Sequence, residues 1–353
     1  MSRTKALALL FPIQIVIINI LGLFPGFIEK YYSNGIFPYI SRFERIIFGW
    51  IGFSVGDVLY GAIILFAIRW LWIKRKTWKM QYKYNLLSVF AFLSVIYFLF
   101  NFLWALNYHR QPLHEKMHIE KEYTPEELIS FTKLLITKAN AAHYAITGND
   151  TIAVKNPYTL QQVYEKSVTA YTELEKSFPS FAFSHESTKS SLISVPLSYM
   201  GFGGYLNPFT NEAQVNNTLP LYNLPTTTCH EMSHQIGYAS ESEANFIGYM
   251  ASVKSNDKYF SYSGYTFALK YCLRNIEKID EEKAKSLEPL INKGILKNFE
   301  QSEAYNKKYE SFVEDIFKYI YDNYLKMNNQ KDGLKAYSKF VGLLVNYYKD
   351  KDL

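Results

Sequence analysis

The sequence of 353 residues predicts an α-helical membrane anchor of three transmembrane helices, residues 1–106, followed by a mainly α, α+β domain with a small sheet, residues 107–353. Long apolar runs are confined to the first part. That part also carries 11 Lys/Arg and only 3 Asp/Glu, whereas residues 107–353 carry 27 Lys/Arg and 29 Asp/Glu. Because the basic excess lies among apolar runs, it indicates membrane orientation, and a purely soluble protein is excluded.

Three runs with almost no charge predict the membrane spans. Residues 6–24 and 86–106 carry no charge, and residues 47–68 carry only Asp57. At about 1.5 Å per residue, each run crosses the roughly 30 Å hydrocarbon core of a bilayer. Arg3 and Lys5 also fit a cleaved signal peptide, but the long first run lacks a small-residue cleavage site and favours an anchor. Asp57 lies mid-span, where a charge is costly, and pairing within the bundle is the favoured interpretation.

The distribution of bases and tryptophans predicts how the chain is oriented. All five tryptophans lie between residues 50 and 104, near the ends of the second and third runs, as expected at a membrane interface. The connection after the second run has no acid and carries the bases Lys74, Arg75, Lys76, Lys79 and Lys83. We therefore expect a multi-pass protein of the cytoplasmic (inner) membrane, with the N-terminus in the cytoplasm and residues 107–353 on the outer face.

The outer domain is predicted to be mainly helical. Thr124 and the Pro-Glu-Glu that follows are typical of a helix start. Helices are expected at residues 124–144, 158–177, 225–237, 241–255, 262–276, 281–293, 301–327 and 333–349. Two β-like pieces, residues 191–199 and 212–216, flank the glycine-rich residues 201–204 and predict the small sheet. Two cysteines, Cys229 and Cys272, exclude a disulfide-built miniprotein and a four-cysteine zinc module.

One stretch of the outer domain carries a metal-binding pattern. His230 and His234 are four residues apart, so on a helix they project from one face and can bind the same zinc ion. Glu231 follows the first histidine, where a carboxylate can take a proton from water on that ion. Gly237 then favours a helix end, and a second helix opens at residue 241. This spacing predicts a Zn²⁺ site whose third ligand is an acid, while Cys229 points off the ligand face and packs.

Several segments together resemble a known family. They are residues 208–216, the His230–His234 motif with Gly237, residues 241–246, and Tyr324-Leu-Lys followed by Gly333 and Tyr337. With these segments the chain resembles, over nearly its whole length, the bacterial membrane family called domain of unknown function 3810. The resemblance implies a zincin-like metallopeptidase of the gluzincin kind.

The third ligand is either Glu241 or Glu243. A separation of two residues on a helix corresponds to about 200° of rotation, so only one of the two glutamates can face the metal. The string Glu-x-x-Ala-Asn resembles the Glu-x-x-Ala-Asp of membrane gluzincins, which implies Glu241 as the ligand and Asn245, one turn on, as a partner that orients a histidine. Asn245 stands where those proteins have Asp, which weakens that implied hydrogen bond. A wide turn at Gly237 would favour Glu243 instead.

The remaining site residues follow from the expected reaction and from the resemblance. Tyr337 or Tyr265 is a candidate donor to the developing oxyanion. The resemblance also suggests an edge strand that pairs with an extended substrate, although a packing strand fits the sequence equally well. Its residues are Glu212, Ala213, Gln214, Val215 and Asn216.

Two functions from different classes are consistent with this pattern. The first is a membrane-anchored zinc peptidase, with Glu231 as general base, that cleaves a peptide or protein of the cell envelope. The alternative is a non-catalytic zinc-binding sensor or scaffold, which would have no need of Glu231 beside an open coordination position. Nucleic acid is not an expected partner because the outer domain is slightly acidic and has no basic stripe. A transporter is disfavoured because three spans with one acid offer little for a pathway.

Overall fold

The first part of the chain folds into five α-helices and one π-helix. The computed structural model describes residues 2–351 and 353, and of residues 336–338 it describes the backbone but not the side chains. The α-helices are α1 (Arg3–Leu21), α2 (Pro25–Phe27), α3 (Phe37–Gly49), α4 (Val55–Lys74) and α5 (Tyr82–Leu103), and the π-helix is Ile28–Ile36. Three of them, α1, α4 and α5, are long and apolar enough to cross a membrane, judged by length and composition. The prediction of three apolar helices is therefore confirmed.

The second of these helices begins later than predicted. Helix α3 ends at Gly49, and α4 begins at Val55, after Ser54, whose side chain accepts a hydrogen bond of 2.9 Å from the N–H of Asp57. Serine is a preferred N-cap because its oxygen satisfies one of the free N–H groups of the first turn. Asp57 consequently lies in the first turn of α4, and the mid-span placement was wrong.

The partners of Asp57 belong to residues 107–353, so the expected pairing within the bundle was also wrong. Its carboxylate accepts hydrogen bonds from the Ser191 hydroxyl at 2.9 Å, from the Leu192 N–H at 2.7 Å and from the Tyr205 hydroxyl. Asp57 therefore joins α4 to the part of the chain that follows the three apolar helices.

Residues 107–353 are mainly helical, as predicted. Their α-helices are α6 (Leu113–Lys116), α7 (Pro125–Thr147), α8 (Leu160–Ser177), α9 (Ser194–Tyr199), α10 (Leu224–Gln235), α11 (Glu241–Lys254), α12 (Lys258–Ile279), α13 (Glu281–Leu287), α14 (Lys293–Tyr309), α15 (Phe312–Met327) and α16 (Ala336–Tyr347). Short 3₁₀ turns lie at Ala105–His109, Pro179–Phe181, Glu288–Leu290 and Gly333–Lys335. Thr124 caps α7 as expected, with Glu127 completing a capping box.

Two of the predicted helices are divided or cut short in the structure, whereas the bounds of the others differ by a few residues. The helix expected at 301–327 is divided, because Ser311 takes an extended conformation and stands as the N-cap residue of α15. The helix expected at 281–293 ends at Leu287, and a 3₁₀ turn with Pro289 follows. Proline cannot donate the N–H that a continuing helix needs.

The small sheet has three strands, β1 (Thr188–Ser190), β2 (Gly204–Leu206) and β3 (Ala213–Val215), in the order β1-β3-β2. β1 pairs with β3 in parallel, with Thr188 opposite Ala213, and β2 pairs with β3 antiparallel, with Gly204 opposite Val215. The prediction that residues 212–216 form an edge strand was wrong, because β3 has a neighbour on each side. The two edge strands of the sheet are β1 and β2.

The strand expected at residues 191–199 was wrong as well. Strand β1 ends at Ser190, and α9 occupies Ser194–Tyr199. Pro196 lies in the first turn of α9. The N–H groups of that turn have no partner within the helix, so the N–H that proline lacks costs no helical hydrogen bond. A helix start with proline therefore replaces the expected β-like alternation.

The sheet holds the beginning of α4 through two buried charges. The carboxylate of Glu212 accepts hydrogen bonds from the free N–H groups of Val55 at 3.1 Å and Gly56 at 2.6 Å. A negative charge at a helix N-terminus is favourable because those N–H groups have no helical partner. Lys189 lies 3.2 Å from Glu212 and donates to the carbonyl of Phe48 at 2.7 Å, at the end of α3.

Most of the hydrophobic core lies between α7, α8, α10, α11, α12 and α16. A second cluster includes Ile28, Phe37, Trp104 and Ala239, so the segment between the first two apolar helices packs on residues 107–353. This cluster lies against the turn after α10 and helps to position the residues described next.

Candidate metal centre

Helix α10 presents the first three residues of the candidate site. His230, Glu231 and His234 are all buried, and one donor atom from each lies within 4.8 Å of the others. The histidine Nε2 atoms are 3.2 Å apart, as the spacing of four residues predicts for one helix face.

The turn after α10 fixes the orientation of His234. Gly237 has φ 88°, a left-handed conformation that favours glycine, and the chain then places the carbonyl of Tyr238 2.7 Å from Nδ1 of His234. A carbonyl oxygen can only accept, so Nδ1 carries the proton in this hydrogen bond. Nε2 is then the atom available to a metal.

Helix α11 brings a carboxylate to the two histidines. Oε2 of Glu241 lies 3.2 Å from Nε2 of His230 and 3.6 Å from Nε2 of His234. Helices α10 and α11 pack so closely that a Cβ added at Gly248 of α11 would lie 2.8 Å from the backbone N of His230. Glycine at this position of α11 therefore lets Glu241 reach the site.

The three donor atoms have the separations of a tetrahedral zinc site. Ligand atoms about 2.0–2.1 Å from zinc, at tetrahedral angles, lie about 3.3–3.4 Å from one another. The corresponding separations here are 3.2, 3.2 and 3.6 Å. Oε2 of Glu241 is buried and has no hydrogen-bond partner among the described residues. The residues present therefore fit a metal ion.

The charges at the site also call for a cation between these atoms. Burial lowers the pKa of His234, but the neighbouring Glu241 outweighs it and raises the pKa. Burial raises the pKa of Glu241, but the two histidines outweigh it and hold the pKa below its ordinary value. Nε2 of His234 and Oε2 of Glu241 both carry lone pairs and repel each other at this separation. Without a metal, a proton on the imidazole supplies the positive charge that holds them together.

Glu231 lies beside this group and is buried. A Cβ added at Gly204 of β2 would be 2.6 Å from Oε1 of Glu231, so the carboxyl group lies directly against the edge strand. Its Oε2 is buried without a hydrogen-bond partner in the described part of the chain. Burial raises the pKa of Glu231 to about 7. A carboxyl group in this state can exchange a proton near neutral pH.

The structure separates the two candidate third ligands. Glu241 faces the histidines, whereas Glu243 accepts a hydrogen bond of 2.6 Å from the N–H of Leu113 and lies near the charges of Arg110 and Lys116. Burial raises the pKa of Glu243. Glu243 therefore belongs to the packing between α11 and the chain that follows α5.

A tyrosine that was not expected from the sequence bonds to the candidate ligand Glu241. Tyr321 of α15 donates a hydrogen bond of 2.7 Å to Oε1 of Glu241. Tyr265 packs against Tyr249, with ring centroids 6.5 Å apart, and the side chain of Tyr337 lies outside the described residues. Tyr321 is three residues before Tyr324, on the same helix face, but no local pattern indicates that this face meets Glu241.

Asn245 is buried one turn after Glu241, on the face expected for it. Burial raises the pKa of Tyr271, and the hydrogen bond that Asn245 forms with this tyrosine opposes the shift. The role of Asn245 in orienting a histidine stays a prediction, whereas the Tyr238 carbonyl holds His234.

Comparison with known proteins identifies one family. The family described as "Protein of unknown function (DUF3810)" matches residues 32–345. The match covers most of the chain and includes all the site residues of α10 and α11. Comparison with the curated proteins and with the solved structures finds no match.

Proposed function

Because this chain belongs to the family of proteins of unknown function DUF3810, whose name assigns no activity, we propose its function from the site itself: a membrane-anchored zinc-dependent peptidase. The observation that carries the proposal is the convergence of His230, His234 and Glu241 at separations of 3.2–3.6 Å, with Glu231 beside them. The proposal includes a zincin fold of the gluzincin kind, in which one helix supplies both histidines and the next helix supplies the glutamate.

His230, His234 and Glu241 would hold the zinc ion. When bound, zinc acts as a Lewis acid that polarises a peptide carbonyl and makes a water molecule more acidic. Glu231 takes the proton of that water as the water attacks, and it delivers the proton to the leaving amine. Its position suits both steps, since Glu231 lies beside the ligand atoms and its Oε2 has no hydrogen-bond partner among the described residues.

Strand β2 offers a place for an extended substrate. The N–H of Asn216 donates to the carbonyl of Gly203 at 3.0 Å, and the N–H of Asn207 donates to the carbonyl of Glu212 at 2.9 Å. Because antiparallel bonds alternate, the main-chain groups of Gly204 and Leu206 point away from β3. A peptide paired with this edge would pass Glu231 and would be bound mainly through its backbone.

The location of the substrate follows from the charges of the chain. The bases after α4 favour a cytoplasmic position for that connection, so the outer domain would act on the outer face of the cytoplasmic membrane. Its substrate would then be a peptide or protein of the cell envelope, close to the lipid bilayer.

The proposal is tested with full-length protein in detergent or nanodiscs. Wild type loaded with zinc should cleave members of a mixed peptide library, read by mass spectrometry. Glu231→Gln should keep one zinc per chain by elemental analysis and lose cleavage, because an amide cannot accept the water proton. His230→Ala/His234→Ala should lose the zinc itself. Wild type that binds zinc and cleaves no more than Glu231→Gln would favour the sensor or scaffold.

A further inference from the structure

A cavity of about 170 Å³ lies beside the candidate metal centre. Its wall includes Gly203, which immediately precedes β2, Thr227 of α10, and Lys270, Tyr271 and Arg274 of α12. The remaining wall is formed by hydroxyl, amide and apolar side chains, among them Asn223, Phe299 and Ser302. A cavity of this size holds a group no larger than a side chain or a chain end.

The cavity adjoins the reacting groups. Gly203 immediately precedes Gly204, whose added Cβ would lie 2.6 Å from Oε1 of Glu231, and Thr227 is one turn before Glu231 on the same helix. Tyr271 links the two regions, because it lines the cavity and forms a hydrogen bond with Asn245, one turn after Glu241 on α11. A substrate whose scissile bond lies at Glu231 can therefore reach into the cavity within a few residues.

Two cations line this cavity without an ion pair. Lys270 and Arg274 are one turn apart on α12, and neither lies within 4.0 Å of a carboxylate among the described residues. The charge of Glu303, which is more than 4.0 Å away, favours the charged form of Lys270. The ammonium group of Lys270 lies 5.6 Å from the centroid of the Phe299 ring. Burial and the charge of Arg274 lower the pKa of Lys270 to about 8. A bound anion would relieve this repulsion.

We propose that Lys270 and Arg274 bind a carboxylate of the substrate, either the free C-terminus of a peptide or an acidic side chain near the scissile bond. This inference rests on the proposed peptidase function and adds a substrate class to it. The planar guanidinium of Arg274 matches a carboxylate with two parallel hydrogen bonds, and Lys270 adds a point charge. The hydroxyl groups in the wall supply further donors.

The experiment measures binding, so it does not depend on hydrolysis. Full-length Glu231→Gln protein is titrated with three peptides of matched sequence, and their Kd values are compared. One peptide has a free C-terminus, one is amidated, and one is amidated with a glutamate near its end. One or both acidic peptides should bind about five- to tenfold more tightly than the amidated peptide, since the half-buried Lys270 and the exposed Arg274 would both contact one carboxylate.

Removing both cations should abolish the difference. Adding Lys270→Gln and Arg274→Gln should make the three peptides bind equally, whereas Lys258→Gln/Lys278→Gln, which neutralises the exposed ends of the same helix, should keep the preference. The peptide that loses affinity identifies the source of the carboxylate. Equal Kd values in the parent, or a preference that persists without the two cations, would overturn the inference. A preference that depends on Lys270 and Arg274 in a protein that cleaves nothing would support the binding site and refute only the peptidase function.

Discussion

The hydroxyl of Tyr321 donates a hydrogen bond of 2.7 Å to Oε1 of Glu241, whose other carboxylate oxygen faces the histidines. The bond joins residues 80 positions apart and connects α15 to α11. A carboxylate held at one oxygen presents the other in a fixed direction, which is what a metal ligand requires. Tyr321 is therefore a positioning residue for the candidate metal centre.

We expect Tyr321→Phe to weaken zinc binding by about ten- to a hundredfold, because partners of metal ligands have effects of this size. Competition with a fluorescent chelator measures the affinity. Tyr319→Phe is the matched control, since Tyr319 lies on the same helix with 73% of its surface exposed. Equal affinities for the two variants would mean that Glu241 keeps its orientation without the hydroxyl.

The placement of the two glutamates predicts opposite results for Glu241→Gln and Glu243→Gln. Glu241→Gln should lose zinc, because the substitution replaces the charged ligand that lies 3.2 Å from His230. Glu243→Gln should keep one zinc per chain, because its carboxylate bonds to the backbone of Leu113. Elemental analysis of both purified variants gives the answer, and retention of zinc by Glu241→Gln alone would reverse the assignment.

The sequence predicts the part of the site that is local in the chain. The spacing of His230 and His234, the glycine at 237 and the acid at 241 lie within twelve residues, so helix geometry and one turn determine how they meet. Tyr321 could not be predicted in this way, because its contact with Glu241 depends on how α15 packs against the rest of the domain. The Tyr238 carbonyl that orients His234 is a backbone group, so no residue type in the sequence indicates this contact.

The same distinction explains the errors in the fold. Apolar composition predicts that a second membrane helix exists, but residues 47–54 are as apolar as the helix itself, so composition does not show that it begins at Val55. Its beginning depends on Ser54 and on Glu212, which is 156 residues from Gly56. The central position of β3 likewise depends on pairing with β1 and β2, which sequence alternation does not reveal.

The buried pair of Lys189 and Glu212 should contribute strongly to stability. Lys189→Met leaves the carboxylate of Glu212 buried without its cation, which should cost about 3–5 kcal/mol. The double variant Lys189→Met/Glu212→Gln should recover part of this loss, since it leaves no unpaired charge. Denaturant unfolding in detergent measures both changes.

Lys166→Met provides the comparison for this pair. Lys166 pairs with Asp257 at 2.9 Å, but 39% of its side chain is exposed, so the expected loss is about 0–1 kcal/mol. Similar losses for Lys166→Met and Lys189→Met would show that the sheet does not depend on the buried pair to hold α4.

The orientation of the chain can be tested by cysteine labelling of intact cells. Cys229 and Cys272 are buried, so a reporter at an exposed position should dominate the signal. Asp150→Cys should react with an impermeant maleimide from outside, and Lys79→Cys should react only after lysis, because the bases around residue 79 favour the cytoplasm. The reverse pattern would place the outer domain in the cytoplasm.

The ion pair of Glu29 and Arg110 predicts a loss of stability at low pH. Burial raises the pKa of Glu29, but hydrogen bonds and charges of Arg110 and Lys116 outweigh it and lower the pKa to about 2. Arg110 donates to both carboxylate oxygens of Glu29, at 2.8 and 2.9 Å, and also to the carbonyl of Gly237 at 2.8 Å, in the turn after α10. The pair thus connects the segment after α1 to the turn that orients His234.

Because the pKa of Glu29 is lower in the folded protein than in the unfolded chain, the folded protein binds fewer protons there. The stabilisation is complete above the unfolded pKa of about 4.5 and is lost as the pH falls toward 2. Glu29→Gln should be less stable than wild type at pH 7, by roughly 3 kcal/mol for an unpaired buried arginine, and the difference should shrink as the pH falls through this range. Thermal unfolding of both proteins in detergent between about pH 3 and 7 measures the difference. A difference that is constant with pH would show that Glu29 is not charged in the folded state.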